Sequence, residues 1–192
     1  HEPGTFTTFV GYEWTGHNRF GGHHNVYFQD GNNAERVTVQ DGLNLETLFS
    51  GLRERNAPND VLVIPHAHEA GDWNKTDRDL ERQIEITSGH GTYEYFAERY
   101  LAQDVHLGFI GSSDSHHGHP GYTGVTNAQM GGLAAVYART NTQTELFRAL
   151  RNRSSFATTG ERIIVHATLN GEPMGTEVSA TRNMEIEASI FG

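Results

Sequence analysis

Short apolar runs alternate along the chain with segments in which apolar residues recur every three or four positions. The continuous run at 61–64 is typical of a strand that is buried on both faces. Strands that alternate with helices predict a parallel α/β architecture with right-handed crossovers. Further strands are predicted at residues 7–12, 84–87 and 108–111, and helices at 45–52, 93–101 and 142–153, the first of them with Asn44 as its N-cap.

Each of these predicted strands leads directly into acidic residues or histidines. Such side chains are the usual nitrogen and oxygen ligands of divalent metal ions. In parallel α/β folds, ligands bind where the carboxyl ends of the strands and the loops that follow them converge. The pattern therefore predicts one site that draws on Glu13, His66, His68, His90, Asp114 and His116.

The segment from Gly108 to His119 carries the strongest of these signals. Asp114 and His116 are two positions apart, so in an extended backbone their side chains leave the same face and can meet at one cation. The alternative interpretation is a polar surface loop that binds nothing. Recurrence of the same pattern after the other strands favours the metal site.

One pair of histidines departs from this pattern. His23 and His24 stand at the start of the predicted strand 22–28, not at its end. The two preceding glycines would let this backbone approach other elements closely. Periodicity alone leaves two interpretations open, a metal ligand and a surface turn with incidental histidines.

The composition of the chain excludes several kinds of site and of binding partner. The 192-residue chain is long enough for about one domain with a real core, and its lack of cysteine excludes disulfides, thiolate metal sites and thiol nucleophiles. The formal net charge of −10 disfavours a nucleic-acid partner, although bound metal ions would permit a phosphorylated small-molecule substrate. No apolar segment approaches about 20 residues, so neither a transmembrane helix nor a membrane partner is predicted.

The C-terminal part of the chain has a different pattern. Asn170-Gly171 between two strand-like runs is a hairpin signal, so residues 161–192 are predicted to begin a β-rich extension of a main domain at 1–160. The chain begins without methionine and ends within a strand-like alternation at 184–190. We therefore expect it to be a piece of a longer polypeptide.

Five short motifs occur in an order that resembles a known superfamily. They are GYEW at 11–14, GHHNVY at 22–27, IPH at 64–66, EITSGHG at 85–91 and GSSDSH at 111–116. Over about residues 5–160 the sequence resembles the polymerase-and-histidinol-phosphatase (PHP) superfamily of metal-dependent phosphoesterases. It looks most like the bacterial DUF3604 branch of that superfamily.

The resemblance implies a distorted, TIM-like (β/α)7 barrel, only partly present here, with two or three divalent metal ions (Zn, Mn or Fe) at its mouth. The implied activity is hydrolysis of a small phosphorylated substrate. Glu13 would bridge metal ions, and Glu13, Asp114 and His117 would be the catalytic residues, with His117 as a proton donor. The implied metal ligands are Glu13, His24 (or His23, if the register shifts by one residue), His66, Asp114 and His116.

Several further polar residues have supporting roles in this hypothesis. Glu85 would hold the site through hydrogen bonds. The remaining histidines near the site, His68, His90 and His119, would contact substrate or support the ligands. The candidate phosphate anchors are Arg78, Arg82 and Arg139.

The resemblance is incomplete before Glu13. The superfamily also has a His-x-His strand and a Thr-Asp-His-type segment, and neither occurs in the first residues of this chain. We expect that this piece alone binds metal weakly and is nearly inactive. Its unpaired barrel edge would associate with a missing N-terminal segment of the same protein or with a second copy. The alternatives are an amidohydrolase-type C–N or C–O bond hydrolase and a non-catalytic metal-binding or structural domain.

Overall fold

The largest unit of the structure is a mixed sheet of six strands. The computed structural model describes residues 1–17, 19, 21–70, 74–119 and 131–192. The strands of this sheet are β1 (Val10–Thr15), β2 (Gly22–Phe28), β3 (Val61–Ala70), β4 (Gln83–Ser88), β5 (Gly91–Thr92) and β6 (Gly108–Gly111). Their order across the sheet is β1–β2–β3–β4–β5, and β6 also pairs with β4.

Strand direction determines which strand ends meet. β2 runs antiparallel to both β1 and β3, whereas β4 is parallel to β3 and to β6. The carboxyl ends of β1, β3, β4 and β6 therefore lie at one edge of the sheet, together with the amino end of β2. The predicted α/β class is confirmed, but a wholly parallel sheet is wrong, and the described residues form no closed barrel. The β1–β2 connection is too short for a parallel crossover, which needs about a dozen residues or more.

Three helices pack against the sheet, and all three are predicted by the spacing of apolar residues. The side chain of Asn44 caps the first of them, because its Oδ1 accepts a hydrogen bond from the Thr47 N–H at 2.9 Å. No helix among the described residues has the length and hydropathy needed to cross a bilayer. The helices are α1 (Leu45–Arg55), α2 (Glu94–Leu101) and α3 (Gln143–Arg151), and short 3₁₀ turns lie at Gly31–Asn33 and Pro58–Asp60.

The core is divided between the two faces of the sheet. Alternate residues of the run 61–64 belong to two apolar clusters, one that includes α1 and one that includes α3. A third cluster joins α2 to Ile84 of β4. The first residues of β3 are therefore buried on both faces, as the continuous apolar run predicts.

Two strands near the polar edge have bounds that differ from the prediction. β1 begins later than predicted and includes Glu13, which was expected to follow the strand. β3 continues through Pro65, where the sequence pattern predicts a break. Proline has no N–H to give to a ladder, and here it lies opposite a register shift in the β2–β3 pairing between Gly22 and His24.

Two small antiparallel sheets are formed by strands that follow β6 along the chain. Asn170 and Gly171 both have positive φ and form the tight turn that Asn-Gly predicts. The turn joins β9 to the two-residue β10, while β11 pairs with the other side of β9. The strands are β7 (Leu133–Val136) and β8 (Ser155–Thr158) in one sheet, and β9 (Ile164–Leu169), β10 (Glu172–Pro173) and β11 (Ile186–Phe191) in the other.

Two leucines near the start of α1 provide a matched test of this core. Leu48 is fully buried, whereas Leu43 is 55% exposed. Leu48→Ala is expected to lower the free energy of unfolding by about 2–5 kcal/mol, because it leaves a cavity between α1 and the sheet. Leu43→Ala is expected to change it by less than about 0.5 kcal/mol. Urea unfolding of both variants measures the difference, and equal effects would contradict the packing described.

Candidate metal centre

Eight acidic and histidine side chains of the described residues meet at the edge where β1, β3, β4 and β6 end. They form four groups of three, and within each group one ligand atom from every residue lies within 4.8 Å of the others. These eight residues are named the His–carboxylate ring. Its members are Glu13, His23, His66, His68, Glu85, His90, Asp114 and His116.

The four groups are joined in a closed circuit by shared residues. Glu13, His66, His68 and Asp114 each belong to two neighbouring groups. The side chains therefore surround one continuous site and are not separate surface pairs. In order, the groups are Glu13–His23–His66, His66–His68–Glu85, His68–His90–Asp114 and Asp114–His116–Glu13.

The antiparallel pairing of β1 with β2 brings Glu13 to His23. Glu13 lies opposite Asn25, so His23, two residues before Asn25, projects from the same face. His23 Nδ1 lies 2.8 Å from Glu13 Oε1, and Glu13 Oε2 lies 3.4 Å from His116 Nε2. Glu13 thereby links the sheet to the loop that follows β6.

His24 lies on the opposite face of β2. Its buried ring packs edge-on against the indole of Trp14, with ring centroids 6.1 Å apart, and its Nε2 lies 3.4 Å from Oε1 of Glu81. Adjacent strand residues point to opposite faces, so His23 and His24 cannot both face the ring. The structure brings His23, the alternative ligand, to the ring, and it leaves His24 outside the four groups formed by the described residues.

β3 and β4 supply the most deeply buried part of the ring. His66 and His68 stack with centroids 5.6 Å apart, and His66 pairs with Glu85 across the parallel strands. Neither ring nitrogen of His66 nor Oε1 of Glu85 has a hydrogen-bond partner among the described residues, although all three atoms are buried. The other oxygen of Glu85 accepts hydrogen bonds from Ser112 Oγ at 2.6 Å and from Asn25 Nδ2 at 3.5 Å.

A tight turn after β6 holds Asp114 between two histidines. Asp114 has a φ of 52°, in the left-handed region that aspartate adopts more readily than most residues, and its N–H donates to Ser112 Oγ at 3.1 Å. Its Oδ2 lies 3.2 Å from His90 Nε2 and 4.0 Å from His68 Nε2. The rings of His68 and His90 stack with centroids 5.0 Å apart.

Burial and mutual repulsion control the charge of the ring. Burial, together with the neighbouring carboxylates of Asp114 and Glu13, raises the pKa of Glu85 to about 8 despite the hydrogen bond from Ser112. Burial, together with repulsion from the neighbouring histidines, lowers the pKa of His66 to about 3. At pH 7 the His66 imidazole is therefore neutral, which is the state that binds a metal ion.

No lysine or arginine of the described residues forms an ion pair with a carboxylate of the ring. Among the described residues, the ion-pair partners of Glu13 and Asp114 are all histidines, and Glu85 has no ion pair. Buried polar atoms without partners destabilise a folded chain unless a ligand or water satisfies them. Nitrogen and oxygen donors without sulfur suit Zn²⁺, Mn²⁺ or Fe²⁺. The residues present therefore fit a centre for divalent metal ions.

The three arginines predicted as phosphate anchors have partners away from the ring. Arg78 pairs with Asp104 at 3.7 Å, and Arg139 pairs with Glu145 at 3.1 Å. Arg82 donates hydrogen bonds to main-chain carbonyls beside the start of β4. In the part of the chain that the structure describes, none of them forms a hydrogen bond or ion pair with the ring, and their role as phosphate anchors stays a prediction.

Sequence reasoning gave three ring members no ligand role, namely His68, Glu85 and His90. His66 and His68 are two positions apart, as are Asp114 and His116. Had the sequence analysis extended the strand through Pro65, this spacing would have predicted His68 as a ligand as well. His90 follows a predicted strand and was expected near the site, but no spacing marked His90 or Glu85 as a metal ligand. Strand pairing and the turn after β4 bring both residues to the ring. The exposed His117 and His119 lie outside the four groups.

Comparison with known proteins identifies the family. A family model described as a protein of unknown function, DUF3604, matches residues 1–77 and 121–185. The chain belongs to the DUF3604 family. The resemblance inferred from the motifs is thereby confirmed. The match leaves out residues 78–120 of this DUF3604 chain, which contain four ring members, so their place in the ring comes from the structure. They are Glu85, His90, Asp114 and His116.

A solved structure from Bacteroides vulgatus ATCC 8482 shares the fold. It is described as a two-domain protein containing a predicted PHP-like metal-dependent phosphoesterase, and it is 18% identical to the DUF3604 chain with a TM-score of 0.50. The similarity covers 78% of this chain and 44% of that protein, so the DUF3604 chain spans less than half of its length. No curated protein matches the sequence significantly.

The raised pKa of Glu85 predicts how the stability of the metal-free chain depends on pH. The folded state keeps a proton on Glu85 up to about pH 8, whereas the unfolded chain loses it near the ordinary value of 4.5. The contribution of Glu85 to stability is therefore fully present below pH 4.5 and is lost as the pH rises through about 8. Glu85→Gln, which cannot ionise, is expected to gain stability relative to the wild type between pH 5 and pH 9.

Urea unfolding in the presence of EDTA measures this difference at each pH. Ser112→Ala serves as a control that removes a hydrogen bond to the same carboxylate but leaves it able to ionise. A constant difference between the wild type and Glu85→Gln from pH 5 to pH 9 would contradict the raised pKa.

Proposed function

We propose that this DUF3604 chain carries the centre of a metal-dependent hydrolase, most specifically a phosphoesterase that acts on a small phosphorylated substrate. The closed His–carboxylate ring, with buried donor atoms that lack hydrogen-bond partners among the described residues, is the observation that carries the proposal. The fold shared with a protein that contains a predicted PHP-like metal-dependent phosphoesterase supports the reaction class.

Glu13 and Asp114 are assigned as the carboxylates shared between metal ions. Each belongs to two neighbouring groups of the ring, and each has two oxygens to offer. Two or three divalent ions in such a site supply a nucleophile from water at neutral pH and offset the charge of the phosphoryl oxygens. The imidazole ligands assigned in this proposal are His23, in place of His24, with His66, His68, His90 and His116.

The remaining side chains position the ligands and transfer a proton. Hydrogen bonds from Ser112 and Asn25 hold one oxygen of Glu85 and leave the other facing the group that it forms with His66. We assign His117 as the proton donor to the leaving oxygen, because it is exposed on the same loop as Asp114 and His116. Nδ1 of His117 lies 3.4 Å from Ser115 Oγ, a contact that orients the imidazole of His117.

Metal binding is the first test of the proposal. Asp114→Asn preserves size but removes the charge shared by two groups of the ring, so the affinity for Mn²⁺ or Zn²⁺ is expected to fall by at least about 100-fold. His106→Ala removes an exposed histidine outside the ring and is expected to bind as the wild type does. Calorimetric titration and elemental analysis measure affinity and stoichiometry, and unchanged binding by Asp114→Asn would contradict the proposal.

Substrate class is the second test, made on the metal-loaded chain with p-nitrophenyl phosphate, an aryl amide and a lactone. We expect metal-dependent hydrolysis of the phosphoester alone. Glu13→Gln is expected to lower that rate by at least about 100-fold, since metal assistance contributes several kcal/mol to such reactions. His106→Ala is expected to retain it.

The other results of the same assay would oppose a phosphoesterase. Preferred turnover of the amide or lactone would indicate an amidohydrolase-type enzyme that uses the same ligands. Bound metal without turnover of any substrate, in this chain and in a longer protein that contains it, would indicate a non-catalytic metal-binding domain.

A further inference from the structure

A cavity of about 330 Å³ lies at the opposite end of β4 from the His–carboxylate ring. It is bounded by the residue before β4, by the end of α3 and by the segment around β10. The described residues that line it include no aspartate or glutamate. Its polar lining consists mainly of Arg82, Arg148, Arg153, Asn152, Ser154 and Thr176.

Three arginines line this one cavity, in a chain whose net charge is −10. Two of them have carboxylate partners that do not line the cavity. Arg148 Nη2 lies 2.7 Å from Glu145 Oε2, and Arg153 Nη2 lies 2.8 Å from Glu177 Oε1. The arginine of the first pair is half-exposed, so that pair is weak and Arg148 keeps much of its capacity to attract an anion. The side chain of Arg153 is only 11% exposed, and its Nη2 also donates to the Gly175 carbonyl oxygen at 3.2 Å.

Arg82 has no ion-pair partner among the described residues. Its Nε and Nη1 donate to the carbonyl oxygens of Arg151 and Arg78 at 3.0 and 3.2 Å, which holds the side chain at the cavity wall. Partial burial and the nearby charge of Arg153 lower the pKa of Arg82, although the carboxylates of Glu177 and Asp79 oppose this shift. A half-buried guanidinium beside a second one, without a carboxylate of its own, is stabilised when an anion enters the cavity.

We propose that this cavity is a binding site for a phosphate-type dianion, either inorganic phosphate or the phosphoryl group of a small molecule. Planar guanidinium groups donate paired hydrogen bonds that match phosphate oxygens, and the amide and hydroxyl groups of Asn152, Ser154 and Thr176 add neutral donors. The cavity volume is at the lower end of the range of small-molecule pockets.

This second site does not depend on the proposed function. Arg82 precedes the first residue of β4, whereas the ring lies at the carboxyl ends of the strands. No ring residue lines the cavity among those that the structure describes. A failed metal test would leave the anion site in place, and a failed anion test would leave the metal centre in place.

Calorimetric titration of the EDTA-treated chain with inorganic phosphate tests the proposal in the absence of metal. Arg82→Gln is expected to weaken phosphate binding by at least about tenfold, because it removes the charge that has no carboxylate partner. Glu177→Gln is expected to strengthen binding by about twofold to fivefold, because it releases Arg153 from a competing carboxylate.

Two further arginine variants keep the test decisive if Arg82→Gln fails to fold. Arg148 and Arg139 both pair with Glu145, but Arg148 lines the cavity and Arg139 does not. Arg148→Gln is therefore expected to weaken phosphate binding about tenfold, and Arg139→Gln to leave it unchanged. Phosphate binding that is absent from the wild type, or equal in Arg148→Gln and Arg139→Gln, would overturn the proposal.

A parallel titration with glycerol 2-phosphate identifies the source of the dianion. Tighter binding of the ester than of inorganic phosphate assigns the site to a phosphorylated small molecule. Tighter binding of inorganic phosphate assigns it to the free ion.

Discussion

The antiparallel position of β2 between β1 and β3 is the constraint on which the candidate centre depends. Because β2 runs against its neighbours, its first residues lie at the edge where β1, β3, β4 and β6 end. His23 can reach Glu13 only for this reason. A parallel β2 would carry the same histidine to the far end of the sheet, away from Asp114 and His116.

One strand joins the apolar core to the polar ring. The residues at 61–64 anchor β3 between α1 on one face and α3 on the other. Its continuation carries His66 and His68 beyond the core on a backbone that is already held in place. Both ring nitrogens of His66 and Oε1 of Glu85 are buried without a hydrogen-bond partner among the described residues, which destabilises the fold, and the surrounding apolar packing offsets that cost. A cation at the ring would satisfy both groups and relieve the repulsion between Glu85, Glu13 and Asp114.

Much of this organisation follows from local signals in the sequence. The three helices, the cap at Asn44, the doubly buried run at 61–64 and the Asn170-Gly171 turn each depend on neighbouring residues, so spacing predicts them well. The family motifs also indicate the chemistry of the site. Strand direction is harder to predict from the sequence, because pairing joins residues that are distant along the chain. The continuation of β3 through Pro65 is also hard to predict, because it depends on a shift of register in the partner strand β2.

The sequence by itself determined which residue types could bind metal and that they lie near the carboxyl ends of apolar strands. The tertiary structure alone decided which of two adjacent histidines faces the site, because β-strand side chains alternate and a one-residue difference in register exchanges His23 for His24. It also decided that Glu85 joins His66 and His68 in the ring and that Arg82 lines a different cavity. These outcomes depend on pairing between β1, β2, β3, β4 and β6, whose geometry no local pattern specifies.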